Sequence, residues 1–278
     1  RTAAMGVLQS PALLLIITHS CGAMVATPLP SRSSLPSSQP SNCAVSSDLG
    51  AVVALNKGLV NTIKGSIDLL YKGRDIERFY VLETIARVPY FSYTSCLHLY
   101  ESLGMRDHVR HMRHHYAEAD NELHHLLIME SLGGNKAFGD RFIAQHIAFF
   151  YFWYCVGVYL LSPRSAYHLS ELIEMHAYKT YDEYLRTNEQ ELRSQPVPLI
   201  ASQYYGGSDA LEVLMRQGEQ SHGEPVRRPR PLRNLYDVFC EVRDDEGAHW
   251  RTLVNLVQYE DLESPEGCPV VPTESLVQ

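Results

Sequence analysis

The stretch Asn121-Glu122-Leu123-His124-His125-Leu126-Leu127-Ile128-Met129-Glu130 decides the fold. Glu122 and His125 are three positions apart, so on an α-helix they share a face, and the apolar residues that follow would turn that face toward a core. A second Glu-x-x-His tetrad, Glu246 to His249, lies in another strongly helical stretch. Single glutamates, Glu83 and Glu174, fall in two further apolar segments. A third tetrad, Glu219 to His222, runs into Gly223 and Pro225 in a basic, proline-rich stretch that would hold no stable helix, and it reads as chance.

One glutamate from each of two helices, with a Glu-x-x-His from each of two others, is the ligand inventory of an all-α, ferritin-like four-helix bundle with a di-metal centre. Four carboxylates balance two divalent ions and let them sit in a dry core. Oxygen and imidazole donors suit Fe(II) and Mn(II), and the chain has no Cys-x-x-Cys pair for structural zinc. Two iron ions are therefore the expected cofactor, held by Glu83, Glu122, His125, Glu174, Glu246 and His249.

The chain has 278 residues, 45% of them hydrophobic, enough for one buried domain and a targeting extension. Its net charge of −8 gives no support to nucleic-acid binding. Six cysteines without paired spacing predict reduced thiols. Residues 1–50 read as a targeting region: an apolar Leu13-Leu14-Leu15-Ile16-Ile17 core, then a stretch rich in serine and proline without acidic residues up to Ser47. The helical domain is expected over 51–260 and a C-terminal tail over 261–278.

After Asp48, Val52, Leu55, Leu59, Ile63, Ile67 and Leu70 recur at helical spacing, with Asn56, Lys57, Asn61, Lys64 and Asp68 on the other side. Further helices are expected from Arg74 to Leu103, from Asp107 to Leu132, from Ser165 onward, and from Leu235 to Tyr259. The segment from Ile147 to Leu161 is uncharged on every side and dense in aromatics, yet at 15 residues it is short of the roughly 20 that span a bilayer. One face can pack on the bundle while the other enters lipid or meets a second copy, so membrane lipid and a homodimer are expected partners. Between 193 and 233 the text predicts a long excursion with at most a short helix near 209–216.

The stretches Val81-Leu82-Glu83-Thr84-Ile85-Ala86-Arg87-Val88-Pro89-Tyr90-Phe91, Asn121 to Glu130, and Tyr236-Asp237-Val238-Phe239 followed by Arg243-Asp244-Asp245-Glu246 closely resemble the plastid terminal oxidase branch of the alternative oxidase family. The resemblance runs from about Val52 to about Leu256, and Tyr204-Tyr205-Gly206-Gly207 is similar to the plastid branch rather than the mitochondrial one. It implies a monotopic, membrane-bound di-iron quinol oxidase that reduces oxygen to water, with plastoquinol or ubiquinol as electron donor. Plastid thylakoids are the expected location and the mitochondrial inner membrane the alternative.

The resemblance also implies roles for single residues. Tyr181, seven positions after Glu174, matches the family's essential tyrosine and would relay electrons and protons. Asn121 and Asp245 match positions that orient the ligands. Arg78, Leu82, His176 and Ala177 match positions at the quinol headgroup, although His176 replaces a glutamate of the mitochondrial branch. Gly247 stands where a helix former is usual, at a cost of about 1 kcal/mol. Rival functions are a mitochondrial ubiquinol oxidase, a quinone-ring hydroxylase of the same bundle class, and a ferritin-like iron store.

Overall fold

The computed structural model describes residues 50–105, 108–207, 231–265, 268 and 270–273. The targeting region, the Glu219 tetrad and the helix expected near 209–216 lie outside them. Among the described residues all regular structure is helical: α1 Gly50–Leu70, α2 Asp75–Ala86, α3 Val88–Ser102, α4 Val109–Ser131, α5 Phe138–Leu161, α6 Pro163–Ser194, α7 Leu199–Tyr205 and α8 Leu235–Tyr259.

The ligand-bearing helices α2, α4, α6 and α8 form the bundle. The most extensive contact is between α6 and α8, while α2 packs on α4 and α5. Phe79, Val81, Met129, Leu185, Phe239 and Val242 fill the interior between them. A second apolar cluster, with Tyr93, Leu97, Tyr167 and Leu253, closes one end.

Local chemistry sets the boundaries. The single helix expected from Arg74 to Leu103 divides at Arg87, with Pro89 in the first turn of α3. Proline has no N–H to give the preceding turn and its ring crowds the carbonyl four residues back, so the rod breaks just before it. Ser162 caps α6 by accepting from the Ser165 amide, so Pro163 opens α6 as well as following α5. Asn234 caps α8 in the same way, through the Asp237 amide. At Gly134 an added Cβ would lie 2.7 Å from the Tyr80 Cβ and 2.8 Å from the Ile76 carbonyl oxygen, so the glycine lets the end of α4 approach α2.

Helix α1 keeps most of its apolar stripe outward, at Leu55, Ile63 and Leu70, as a helix in a membrane interface requires, but turns Ile67 and the polar Asn56 inward. Val53, Asn56 and Ile67 are buried, whereas Leu55, Ile63, Leu69 and Leu70 are exposed. Asn56, on the polar side opposite that stripe, donates to the Ser165 carbonyl at 3.0 Å and bonds the buried His168 ring at 3.1 Å, which ties α1 to α6. The apolar residues left outside form a greasy outer strip.

Helix α5 starts at Phe138, nine residues before the uncharged segment. At 24 residues it is the one described helix long and apolar enough to cross a membrane. Asp140, Ala144, Ala148, Tyr151, Cys155 and Tyr159 face the bundle at three- and four-residue steps. Phe149, Phe150 and Trp153 are more than 60% exposed on the outer side. Asp140 is the buried charge on its inner face, and the Arg74 guanidinium meets it at 2.5 Å.

Two further expectations change. Cys268 is disulfide-bonded, although Cys96, Cys155 and Cys240 are free thiols. Gly247 faces the Tyr178 ring of α6, whose carbons would lie 3.2 and 3.3 Å from an added Cβ. Its cost in helix propensity therefore goes with the close approach of α6 and α8.

Candidate metal centre

Glu83 comes from α2, Glu122 and His125 from α4, Glu174 from α6, and Glu246 and His249 from α8. All six are buried, none more than 7% exposed. They form two overlapping groups, Glu83–Glu122–His125–Glu246 and Glu122–Glu174–Glu246–His249. Within each, one donor atom per residue lies within 4.8 Å of the others. Glu122 and Glu246 belong to both groups, so the geometry has two end carboxylates, two end imidazoles and two shared carboxylates. His125 Nδ1 lies 3.1 Å from Glu246 Oε1, and His249 Nδ1 lies 2.9 Å from Glu122 Oε1.

Four carboxylates in a dry core repel one another. Burial, then the charges of Glu174 and Glu83, pushes the Glu122 carboxyl well above the usual carboxylate range. Burial, then Glu122 and Glu174, does the same to Glu246, and burial raises Glu174. Both oxygens of Glu122 and Glu246, Oε2 of Glu83 and Glu174, and Nδ1 of both histidines lack a well-directed hydrogen bond. So many inward-facing unsatisfied acceptors are costly unless something cationic sits among them. The donor set fits two divalent metal ions.

A shell of hydrogen bonds surrounds the six. His125 Nε2 faces Asp245 Oδ2 at 3.3 Å. The same oxygen accepts from Asn121 at 3.1 Å and from the Tyr205 hydroxyl at 2.9 Å. Asn121 also donates to the Tyr204 hydroxyl at 2.7 Å, and the His124 ring stacks on Tyr204 at 4.0 Å. Asn121 and Asp245, singled out from the sequence, thus meet beside His125. The short α7 supplies the tyrosines that complete this corner. Tyr181 donates to Glu83 Oε1 and stacks on Phe79 with ring centroids 4.4 Å apart.

Sequence reasoning missed Tyr90, which is fully buried and donates to Glu174 Oε1 at 2.6 Å. The signal was present, because Tyr90 follows Glu83 by seven residues as Tyr181 follows Glu174. It also missed the buried Glu118, four residues before Glu122. Against burial, which alone would raise it, His114 and His115 hold that carboxyl below the usual range.

A cavity of about 330 Å3 lies between α1, α2, α5 and α6 and reaches the centre at Glu83 and Tyr181. Its walls are mostly aliphatic and aromatic, and Leu82, His176 and Ala177 line it. Arg78 does not. It pairs with Asp68, a lining residue, at 3.4 Å and with Asp75 at 3.3 Å. Burial, then nearby Lys64, pushes His176 down to about 4, so its imidazole is neutral at physiological pH.

A helical bundle with overlapping carboxylate–histidine groups at its core defines the class of di-metal carboxylate proteins. Within that class the chain belongs to the alternative oxidase family, whose model matches residues 44–257. It is 45% identical over 233 residues to ubiquinol oxidase 4, chloroplastic/chromoplastic, of Arabidopsis thaliana, covering 80% of this chain and 65% of that protein. It is 28% identical to the mitochondrial ubiquinol oxidase 2 of Glycine max, over 68% of this chain and 50% of that one. With the mitochondrial ubiquinol oxidase of Batrachochytrium dendrobatidis it shares 26% identity over 80% of this chain and 67% of that one. The chain thus spans between half and about two thirds of the length of these relatives.

Proposed function

We propose that the chain is a membrane-bound di-iron quinol oxidase that passes electrons from plastoquinol to oxygen and forms water, in a plastid. The observation that carries the proposal is the pair of overlapping groups sharing Glu122 and Glu246, joined by a mostly apolar cavity at Glu83 and Tyr181. Iron supplies the one-electron redox steps and the oxygen-binding positions that side chains lack. Glu83 and His125 would hold one ion and Glu174 and His249 the other, with Glu122 and Glu246 between them. Asp245, itself fixed by Asn121 and Tyr205, would orient the His125 ring.

The cavity would take the quinol, its ring against Leu82 and Ala177 and its hydroxyls near His176 and Thr180. Tyr181 reaches both the cavity and Glu83, and its hydroxyl would pass a proton and an electron between them. Phe79 and the aliphatic walls would keep water away. The 45% identity to a relative named chloroplastic, against 28% and 26% to mitochondrial ones, supports the plastid.

The test is oxygen uptake by the purified full chain with plastoquinol and with ubiquinol, before and after iron loading. Iron-dependent uptake at two quinols per oxygen is expected, with all labelled oxygen recovered in water. Label in the quinone would identify a hydroxylase instead, and iron taken up without quinol oxidation would identify a store.

The greasy outer faces of α1 and α5 support attachment to a single leaflet, and a second copy of the chain could cover part of the same surface. Phe149, Phe150 and Trp153 would enter the lipid. Burial of each is worth roughly 1.5–3 kcal/mol, so each change to serine is expected to weaken binding to lipid vesicles about tenfold or more. Co-sedimentation checks this, and unchanged binding by the triple variant would remove α5 from the membrane contact.

A further inference from the structure

Three side chains from outside α6 clasp the part of it that leads to Glu174. Asn56 of α1 holds the Ser165 carbonyl and the His168 ring, and the Tyr93 hydroxyl of α3 meets the Ala166 carbonyl at 2.8 Å and the Ser170 hydroxyl at 2.6 Å. The third clasp comes from the far end of the chain. Thr273, fully buried, donates its amide to Oε1 of Glu171 at 2.9 Å and its hydroxyl to Oε2 at 2.6 Å. Glu171 is 1% exposed and belongs to neither group of candidate metal ligands, yet it stands three residues before Glu174, one turn away on neighbouring faces of the helix.

The same segment grips α8. Gln258, in the last turn of that helix, donates to the Val271 carbonyl. Residues 270–273 therefore bridge α6 and α8, the two helices with the most extensive contact, which between them carry Glu174, Glu246 and His249. Val270 is 41% exposed, so the segment passes from the surface to a buried end within four residues.

We infer that residues 270–273 are a strap that sets the register of α6 against α8 and so positions Glu174, with Thr273 acting through Glu171. The inference rests on the di-metal reading above. A buried carboxyl is costly unless its oxygens are hydrogen-bonded, and a hydroxyl contact of 2.6 Å has the length of a bond to a charged acceptor. Glu171 is thus held where Thr273 sits, and Glu174, one turn on, moves with it. A slide of α6 along α8 would carry Glu174 away from the donor atoms of Glu122, Glu246 and His249, which now lie within 4.8 Å. Thr273 and Glu171 are positioning residues, since neither reaches the centre itself.

The test titrates the metal-free full chain with Mn(II) in a calorimeter. Parent protein should bind two Mn(II) per chain. Thr273→Val keeps the shape and the amide but loses the hydroxyl, and its folded form should bind Mn(II) about tenfold more weakly. Thr273→Ser keeps the hydroxyl and should bind as the parent does. A merely structural clasp would lower the unfolding temperature and leave the affinity of the folded form alone. Parent affinity in Thr273→Val, or a Thr273→Ser as weak as Thr273→Val, would overturn the inference.

Amide exchange in the parent protein decides the matter even if Thr273→Val does not fold, because coupling between two sites is reciprocal. Mn(II) should slow exchange at Val271 and Thr273 by about tenfold, and exchange indifferent to the metal would overturn the inference. Parent protein that binds no Mn(II) would sink the di-metal reading and the strap together. Two bound ions with an unchanged variant affinity would sink the strap alone.

Discussion

Glu122→Ala and Glu246→Ala are expected to abolish metal binding at both positions, whereas Glu83→Ala and Glu174→Ala each weaken one. The difference follows from the two overlapping groups, because a carboxylate common to both would donate to both ions and an end carboxylate to one. Quinol-dependent oxygen uptake by either shared-ligand variant should fall by about a thousandfold or more, roughly 4 kcal/mol in the barrier. The same variants carry an independent stability signature. In metal-free protein the four buried carboxylates repel one another, so removing one should leave the unfolding temperature unchanged or raised. Metal should then raise the unfolding temperature of the parent, by binding only the folded state, and leave that of Glu122→Ala where it was. Elemental analysis and calorimetry read both effects. Full quinol oxidation by Glu246→Ala would remove that residue from the centre.

What was legible in the sequence was what local spacing dictates. Glu122 and His125 must share a face of any helix that contains them, as must Glu246 and His249, and no tertiary fact is needed to see it. The bounds of α8 could be read because Asn234 is a cap and the apolar period runs unbroken to Tyr259. Faces were harder. Around Asn56 the sequence offers an apolar stripe that would serve a core or a membrane equally well, and only the position of His168, 112 residues away, decides which side is inward. Pro89 carries a local signal for a break, but the helical text on both sides of it reads as one rod.

The rest of the site was hidden by sequence distance. Tyr205 meets Asp245 across 40 residues and leaves no local pattern, while Tyr90 meets Glu174 across 84 with only its seven-residue step from Glu83 as a signal. Tyr204 and Tyr205 carried the resemblance to the plastid branch, but nothing in their own surroundings pointed toward Asn121 and Asp245. The segment that contains them reads from the sequence as a long excursion. Its first helix, α7, instead brings hydroxyls to the layer directly behind His125.

Tyr181→Phe is expected to lower the turnover number by about a hundredfold or more while leaving metal content at two per chain. The hydroxyl is the only atom removed. The ring would keep its stack on Phe79 and its burial beside Phe239, so the loss in stability should be about 1–2 kcal/mol, the cost of one buried hydrogen bond. What disappears is the group that reaches both the cavity and Glu83. Burial, then the Glu83 charge, holds the phenol well above its ordinary pKa, so it stays protonated at any working pH. An electron taken from it must be accompanied by its proton, and Glu83 Oε1 is the acceptor in place. Substrate binding depends on the cavity walls, so KM should change little, and the whole effect should fall on turnover. A variant that keeps both metals and turns over quinol within a few-fold of the parent would make Tyr181 a packing residue, and the relay would have to run through another group at the Glu83 end of the cavity.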